Sequence, residues 1–376
     1  MKTRPVIAIV CGLVVAVAGW LIVREFVGSR PAVKTGRQVA KAISRPPAVV
    51  KRPPRRRPPA TKTFASAARD AMSDREARFI KSLMKGGPDM KLSALEIEKY
   101  LAQHGRSAAN LLAAFQASNN DRYLKEAAAA FPNDPHVQFL VLSRNALPEE
   151  RAKWIAAFQQ AAPDNRLANF FAALDGFKNN QPADALQQMI AAAAKPSYDD
   201  YLFEQSAAAE ALYAGAGWSQ LEAKFAATFG LMMPQLSMMR DLSRELGVME
   251  ATAMAGGDVA TAQTAASVGL GFARQVAEGT TMPTYVNELV GQAIERQFLS
   301  TADPAVIEQV LGQTAADRLA ELDRQRNDIR QIANQWSARI EAGDLSAAEL
   351  FEYLDLVRYV GEPEANRWML SSKQSR

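Results

Sequence analysis

Thiols and imidazoles are almost missing from this chain. Cys11 is its single cysteine, and His104 and His136 are its only histidines. The chain beyond Cys11 can form no disulfide and no thiolate metal site. Such a thiol-free body suits an oxidising compartment without choosing one. His104 directly precedes Gly105, at what reads as a helix end, where an imidazole meets the helix dipole. There is no EF-hand and no His-Glu-x-x-His pattern, and we expect no metal and no cofactor. Aromatics supply 8% of the residues. Together with the scattered β-branched residues they form no window that alternates apolar and polar positions as a strand does. Alanine is abundant. This composition favours closely packed helices over sheets, so an all-α fold is expected.

Acid is scarce at one end only. Residues 1–64 contain 14 Lys/Arg and one acid, Glu25. The remaining residues hold 30 of the 44 Lys/Arg and 39 of the 40 Asp/Glu, a net charge of −9. The basic overall balance therefore describes a leader attached to an acidic body, and specific nucleic-acid binding is not expected of the body.

Within that leader, Val6 to Val23 run for eighteen residues without a charge. Val6, Ile7, Val10, Leu13, Val14, Val17, Trp20, Leu21 and Val23 supply an apolar helix of about 27 Å, close to the thickness of a bilayer core. Pro5 suits a helix start, and Trp20 lies near the far boundary, where indole rings prefer to sit. The preferred reading is a retained signal-anchor over residues 1–27. A cleaved signal peptide competes, because Ala16-Val17-Ala18 resembles a cleavage site, but the apolar run continues past it. A buried core helix is the third reading. Two signals conflict over orientation. Arg24, Arg30, Lys34, Arg37 and Lys41 outnumber Lys2 and Arg4, which favours a cytoplasmic body. The short basic start is signal-like, and large domains cross membranes largely regardless of charge, which favours an extracytoplasmic one. We adopt the second, on the periplasmic side if the cell is bacterial.

Residues 28–64 read as a linker. Seven prolines, from Pro31 to Pro59, preclude a continuous helix there. An extended segment of this length reaches on the order of 100 Å. Arg52, Arg55, Arg56 and Arg57 make it either a stiff spacer or an electrostatic tether to anionic lipid or polymer.

From Ala65 onward, turn signals separate successive helices. Ser93/Glu96, Ser219/Glu222 and Ser346/Glu349 read as capping boxes. Helices are expected over 70–85, 107–119, 121–131, 136–145, 149–161, 166–179, 183–194, 199–214, 234–255, 259–278 and 315–342, with another starting at Asp303-Pro304. The helix over 70–85 should stop at Gly86-Gly87-Pro88. Phe131-Pro132, Ala162-Pro163 and Lys195-Pro196 recur at spacings of 31 and 33. A period near 34 with paired helices resembles the tetratricopeptide-repeat family. The resemblance spans 107–197 and is closest over 166–197. Phe177 there closes one helix, and Ala185 is the small residue at which the next helix crosses it. Phe170, Phe171 and Met189 fill the repeat's packing positions, and Asn180 or Gln181 stands where the family has glycine. The resemblance implies stacked antiparallel hairpins, which we place over 65–200; turn signals alone, without a convincing period, continue the helical body over 201–376. The resemblance also implies a concave face that binds peptides or proteins, and no catalysis.

Other motifs are weaker. Ser82-Leu83-Met84-Lys85 and Lys34-Thr35-Gly36 match fragments of serine β-lactamases and penicillin-binding proteins, in reversed order and with one in the linker. Gly269-Leu270-Gly271 lacks the strand that a phosphate loop needs. Met232, Met233, Met238 and Met239 flank Pro234, and Met249 and Met254 follow. Such a cluster packs a core around a kink by default, but it also suits an adaptable partner surface or soft copper. Asp199 and Asp200 read as caps of the following helix before they read as a catalytic pair. The expected function is a membrane-tethered scaffold or adaptor for a protein or peptide, not an enzyme. The rival is a carboxylate-based hydrolase of envelope polymer, with its carboxylates on facing helices.

Overall fold

The computed structural model describes residues 74–83, 90–342 and 344–371. The expected anchor over 6–23, the linker over 28–64 with Arg52, Arg55, Arg56 and Arg57, the stop at 86–88 and Gly343 lie outside the described residues. Among the described residues, no helix is long and apolar enough to cross a membrane.

Seventeen α-helices and a 3-10 turn at Pro148–Glu150 make up the described chain. They are α1 (Asp74–Leu83), α2 (Ala94–His104), α3 (Ala108–Ser118), α4 (Asp121–Ala130), α5 (Pro135–Arg144), α6 (Arg151–Ala161), α7 (Leu167–Lys178) and α8 (Pro182–Ala194). Then come α9 (Leu202–Gly215), α10 (Gln220–Phe229), α11 (Gln235–Ala255), α12 (Val259–Glu278) and α13 (Tyr285–Thr301). The last are α14 (Pro304–Leu311), α15 (Ala315–Glu341), α16 (Ala347–Val360) and α17 (Glu362–Ser371). The described residues contain no strand, only an isolated parallel bridge between Asn165 and Ser197.

Local chemistry explains most boundaries. All three capping boxes form, each with the serine side chain on the N3 amide and the N3 glutamate on the serine amide. Asn119 and Asn145 end α3 and α5 in left-handed geometry, which asparagine tolerates. Pro234 stands just before α11 in the connection from α10, so no helix is kinked there.

Consecutive helices pack as pairs: α3 with α4, α5 with α6, α7 with α8, α9 with α10, and α11 with α12 and then α13. In α7 and α8, Ala185 is fully buried and lies so close to Gly176 that a Cβ there would sit 3.2 Å from Ala185 Cβ. The proline-marked turns at 163 and 196 lie side by side. Asn165 Nδ2 donates to Asp199 O at 2.7 Å, and Ser197 Oγ donates to Asp164 O at 2.7 Å. Phe170 meets Phe272 edge-on with ring centres 4.8 Å apart, while Phe171 joins Phe139 and Phe158. Phe171 and Met189 are buried as well, and Phe177 is partly so. Full burial of one such aromatic side chain stabilises by roughly 1.5–3 kcal/mol.

Packing also reaches well beyond neighbours in sequence. The chain doubles back, so that α9 lies on α3, α11 on α5 and α7, and α12 on α8. One apolar core accordingly runs from Leu92 to Leu322. A second core joins α1 and α10 to the C-terminal helices through Phe79, Leu221, Phe225, Trp336, Tyr353 and Met369.

Candidate binding cleft

The second core is incompletely filled. A cavity of about 100 Å³ opens between α1, α10, α13, α15, α16 and α17. Leu83 of α1 and Phe225 and Phe229 of α10 line one side. Ile329, Ile332, Ala333 and Trp336 of α15 form another, spaced so that they share one helix face. Leu350, Tyr353 and Val357 of α16 close it, again at helical spacing. The connections before α11 and α13 add Leu231, Met233 and Met282.

Its polar groups are few and tied down. Trp336 donates its indole N–H to Asn366 Oδ1, and Asn366 Nδ2 donates to Glu362 O at 2.8 Å. Glu362 Oε2 accepts from the main-chain N–H of Tyr285 at 2.9 Å. Burial pushes the Glu362 carboxyl up to about 7; the Tyr285 amide opposes that rise and the nearby Glu288 charge adds to it. Burial likewise raises Glu288, with Gln292 and Arg367 opposing and Glu278 adding. Glu288 is not among the residues that line the cleft.

Gly361 makes the Glu362 contact possible. Its φ is +92°, and a Cβ there would stand 2.9 Å from both Cδ and O of Pro283. Glu362 N in turn donates to Pro283 O at 2.8 Å. The α16–α17 corner and the start of α13 are therefore stitched at the floor of the cleft.

A second polar centre lies deeper. Asp200 is fully buried, and its Oδ2 accepts from Thr280 Oγ1 at 2.8 Å and from Gln235 Nε2 at 3.5 Å. Burial pushes its carboxyl up to about 7, with the Thr280 bond opposing and the Asp199 charge adding. Asp200 Oδ1, Tyr198 Oη and Gln235 Oε1 are buried without hydrogen-bond partners. The expected capping role changes here. The N-cap of α9 is Tyr201, left-handed and without a side-chain cap, while Asp199 Oδ1 accepts from Tyr201 N and Asp200 turns inward. Both partners that draw it in, Thr280 and Gln235, come from distant elements.

Both histidines stack on tyrosine rings. His104 stacks on Tyr100 with ring centres 4.4 Å apart. His136 stacks on Tyr201 at 5.1 Å, its Nε2 is shut off without a partner, and burial pulls its titration down to about 4 against Asp134 and Glu204. Among the described residues, no group of three His, Cys, Asp or Glu side chains is placed to hold a metal. Ser82 Oγ donates to Phe79 O within α1, and Gly269 lies inside α12 against the ring of Phe298.

Phe170, Phe171, Ala185 and Met189 belong to the first core, Phe177 packs against it, and none lines the cleft. The methionine cluster divides: Met238 and Met239 are buried in the first core, Met233 lines the cleft, and Met254 is exposed. Trp336, Tyr353, Tyr285 and Glu362 escape a reading of the sequence because they come from separate helices. A tryptophan in the otherwise charged α15 was the one local signal available.

No known family model, curated protein or solved structure matches this chain.

Proposed function

We propose that this chain is a membrane-tethered helical module that captures an apolar side chain of a protein or peptide partner in the α10–α16 cleft. The reading rests on one observation: the cavity is lined by Phe, Tyr, Trp, Met and aliphatic side chains, with few convergent polar groups. That is the composition expected of a recognition pocket. Residues 6–23 anchor the module in the membrane, and 28–64 hold it at a distance, with the arginine run available to anionic lipid or polymer. The body lies outside the cytoplasm, and its hairpins form a tetratricopeptide-like array.

The rival hydrolase requires two carboxylates facing one space, roughly 5–10 Å apart. Among the described residues, Glu362 is the only carboxylic acid lining the cavity. A photo-crosslinking phenylalanine analogue at Phe229 of the full chain tests the proposal in membranes. It should yield a covalent adduct with a polypeptide, and Trp336→Ala should weaken that adduct. No polypeptide adduct, combined with cleavage of isolated cell-wall glycan by the purified chain, would replace the scaffold with the hydrolase.

A further inference from the structure

The cleft is apolar without being electrically neutral. Among the described residues, no lysine, arginine or histidine lines it, and Glu362 is the only carboxylic acid that does. The charged and titratable groups that act on Glu362 are Glu288 of α13, which adds negative charge, and the buried Tyr285 phenol. Arg367 of α17 is the nearby cation that acts on Glu288 and Tyr285. Its side chain is 69% exposed and pairs with Glu364 at 2.7 Å, and neither residue lines the cavity. The carboxyl group at the cleft floor thus has main-chain N–H support but, among the described residues, no cationic partner inside the cavity. A carboxylate so placed is poorly solvated, and an arriving cation would find a strong, water-excluded partner. The free space of about 100 Å³ is smaller than the roughly 150 Å³ cavity that holds benzene, so it takes at most one side-chain group, a ring only partly inserted through its open side.

We infer that the occupant of this cleft is an apolar cation: a peptide site where a large hydrophobic side chain adjoins a lysine or arginine, with the cation paired to Glu362. This inference rests on the peptide-binding reading of the cleft. The acidic body, at −9 over residues 65–376, favours the approach of the same class of partner. Because the free carboxyl titrates at about 7, pairing with an ammonium requires its ionised form, and binding releases a proton. Affinity for a cation therefore rises with pH through that range, while affinity for a neutral apolar group does not.

Calorimetric titration of the full chain with 3-phenylpropylamine, 3-phenylpropanol and 3-phenylpropionate tests this. The amine, which stays protonated below about pH 9, should bind best and the carboxylate worst. Amine affinity should rise about tenfold from pH 6 to pH 8, following the ionised fraction of one group titrating near 7. The alcohol should show no such rise. Glu362→Gln should flatten the amine's pH profile and lower its affinity at pH 8 to that of the alcohol. Should this variant unfold, the pH profiles of the unaltered protein still decide the matter. Equal binding of amine and alcohol at every pH overturns the cation inference and leaves the binding cleft standing. Binding of none of the three overturns the inference and removes the main support for the cleft as a recognition site.

Discussion

The main-chain N–H of Tyr285, the first residue of α13, donates to Oε2 of Glu362 at 2.9 Å across 77 residues of chain. A helix of seventeen residues thus has one of its initial amides satisfied by a side chain from another helix, in addition to its own Thr284 cap. The same carboxyl group is the only acid lining the cleft among the described residues, so the cap and the proposed recognition group are one side chain.

Gly361→Ala should destabilise the protein by about 2–4 kcal/mol. The residue is held at φ +92°, and a methyl group would press on Pro283. Urea unfolding of the variant should show a lower midpoint. A midpoint unchanged from the parent would mean that the corner rearranges freely.

Acidification should strengthen the Asp200 region. A buried carboxyl raised to about 7, against 3.8 in the unfolded chain, binds protons more readily when folded. Its contribution is therefore fullest below pH 3.8 and shrinks as pH rises through 7. Asp200→Asn removes that titration. The difference in Tm between variant and parent should move in the variant's favour between pH 5 and pH 8. A constant difference would show that Asp200 titrates normally.

Glu210 holds two buried cations. Lys224 Nζ lies 3.2 Å from it and 2.6 Å from Asp355, and Arg358, which also donates through Nε to Ser206 Oγ, pairs with it directly. Glu210→Ala leaves both cations short of a partner and should destabilise by about 3–5 kcal/mol. Because these groups join α9 and α10 to α16, amide exchange should rise first in α16. A uniform rise would indicate global unfolding instead.

Trp336→Ala should enlarge the cleft and release Asn366, at a loss of about 3–5 kcal/mol. The first core, from Leu92 to Leu322, includes no part of Trp336 and should keep its helical signal at temperatures where the C-terminal helices melt. A single melting transition in circular dichroism would contradict this division.

Residue pattern and punctuation suffice for the all-helical class and most boundaries. Ser93, Ser219 and Ser346 bond to amides three residues away, and Asn119 and Asn145 end helices through their own backbone geometry. Such interactions close within a turn or two, so the signal and the structure occupy the same few residues. α13 and α17 carry weaker signals. Thr284 does cap α13, but no acid follows at N3, and α17 begins directly at a glycine corner packed on Pro283. The return of α9 to α3, the inward turn of Asp200 and the assembly of the cleft from six helices were decided only by tertiary packing. Each depends on side chains tens to hundreds of residues apart, brought together by burial of apolar area. That force has no direction along the chain, and it leaves no local pattern from which its partners can be read.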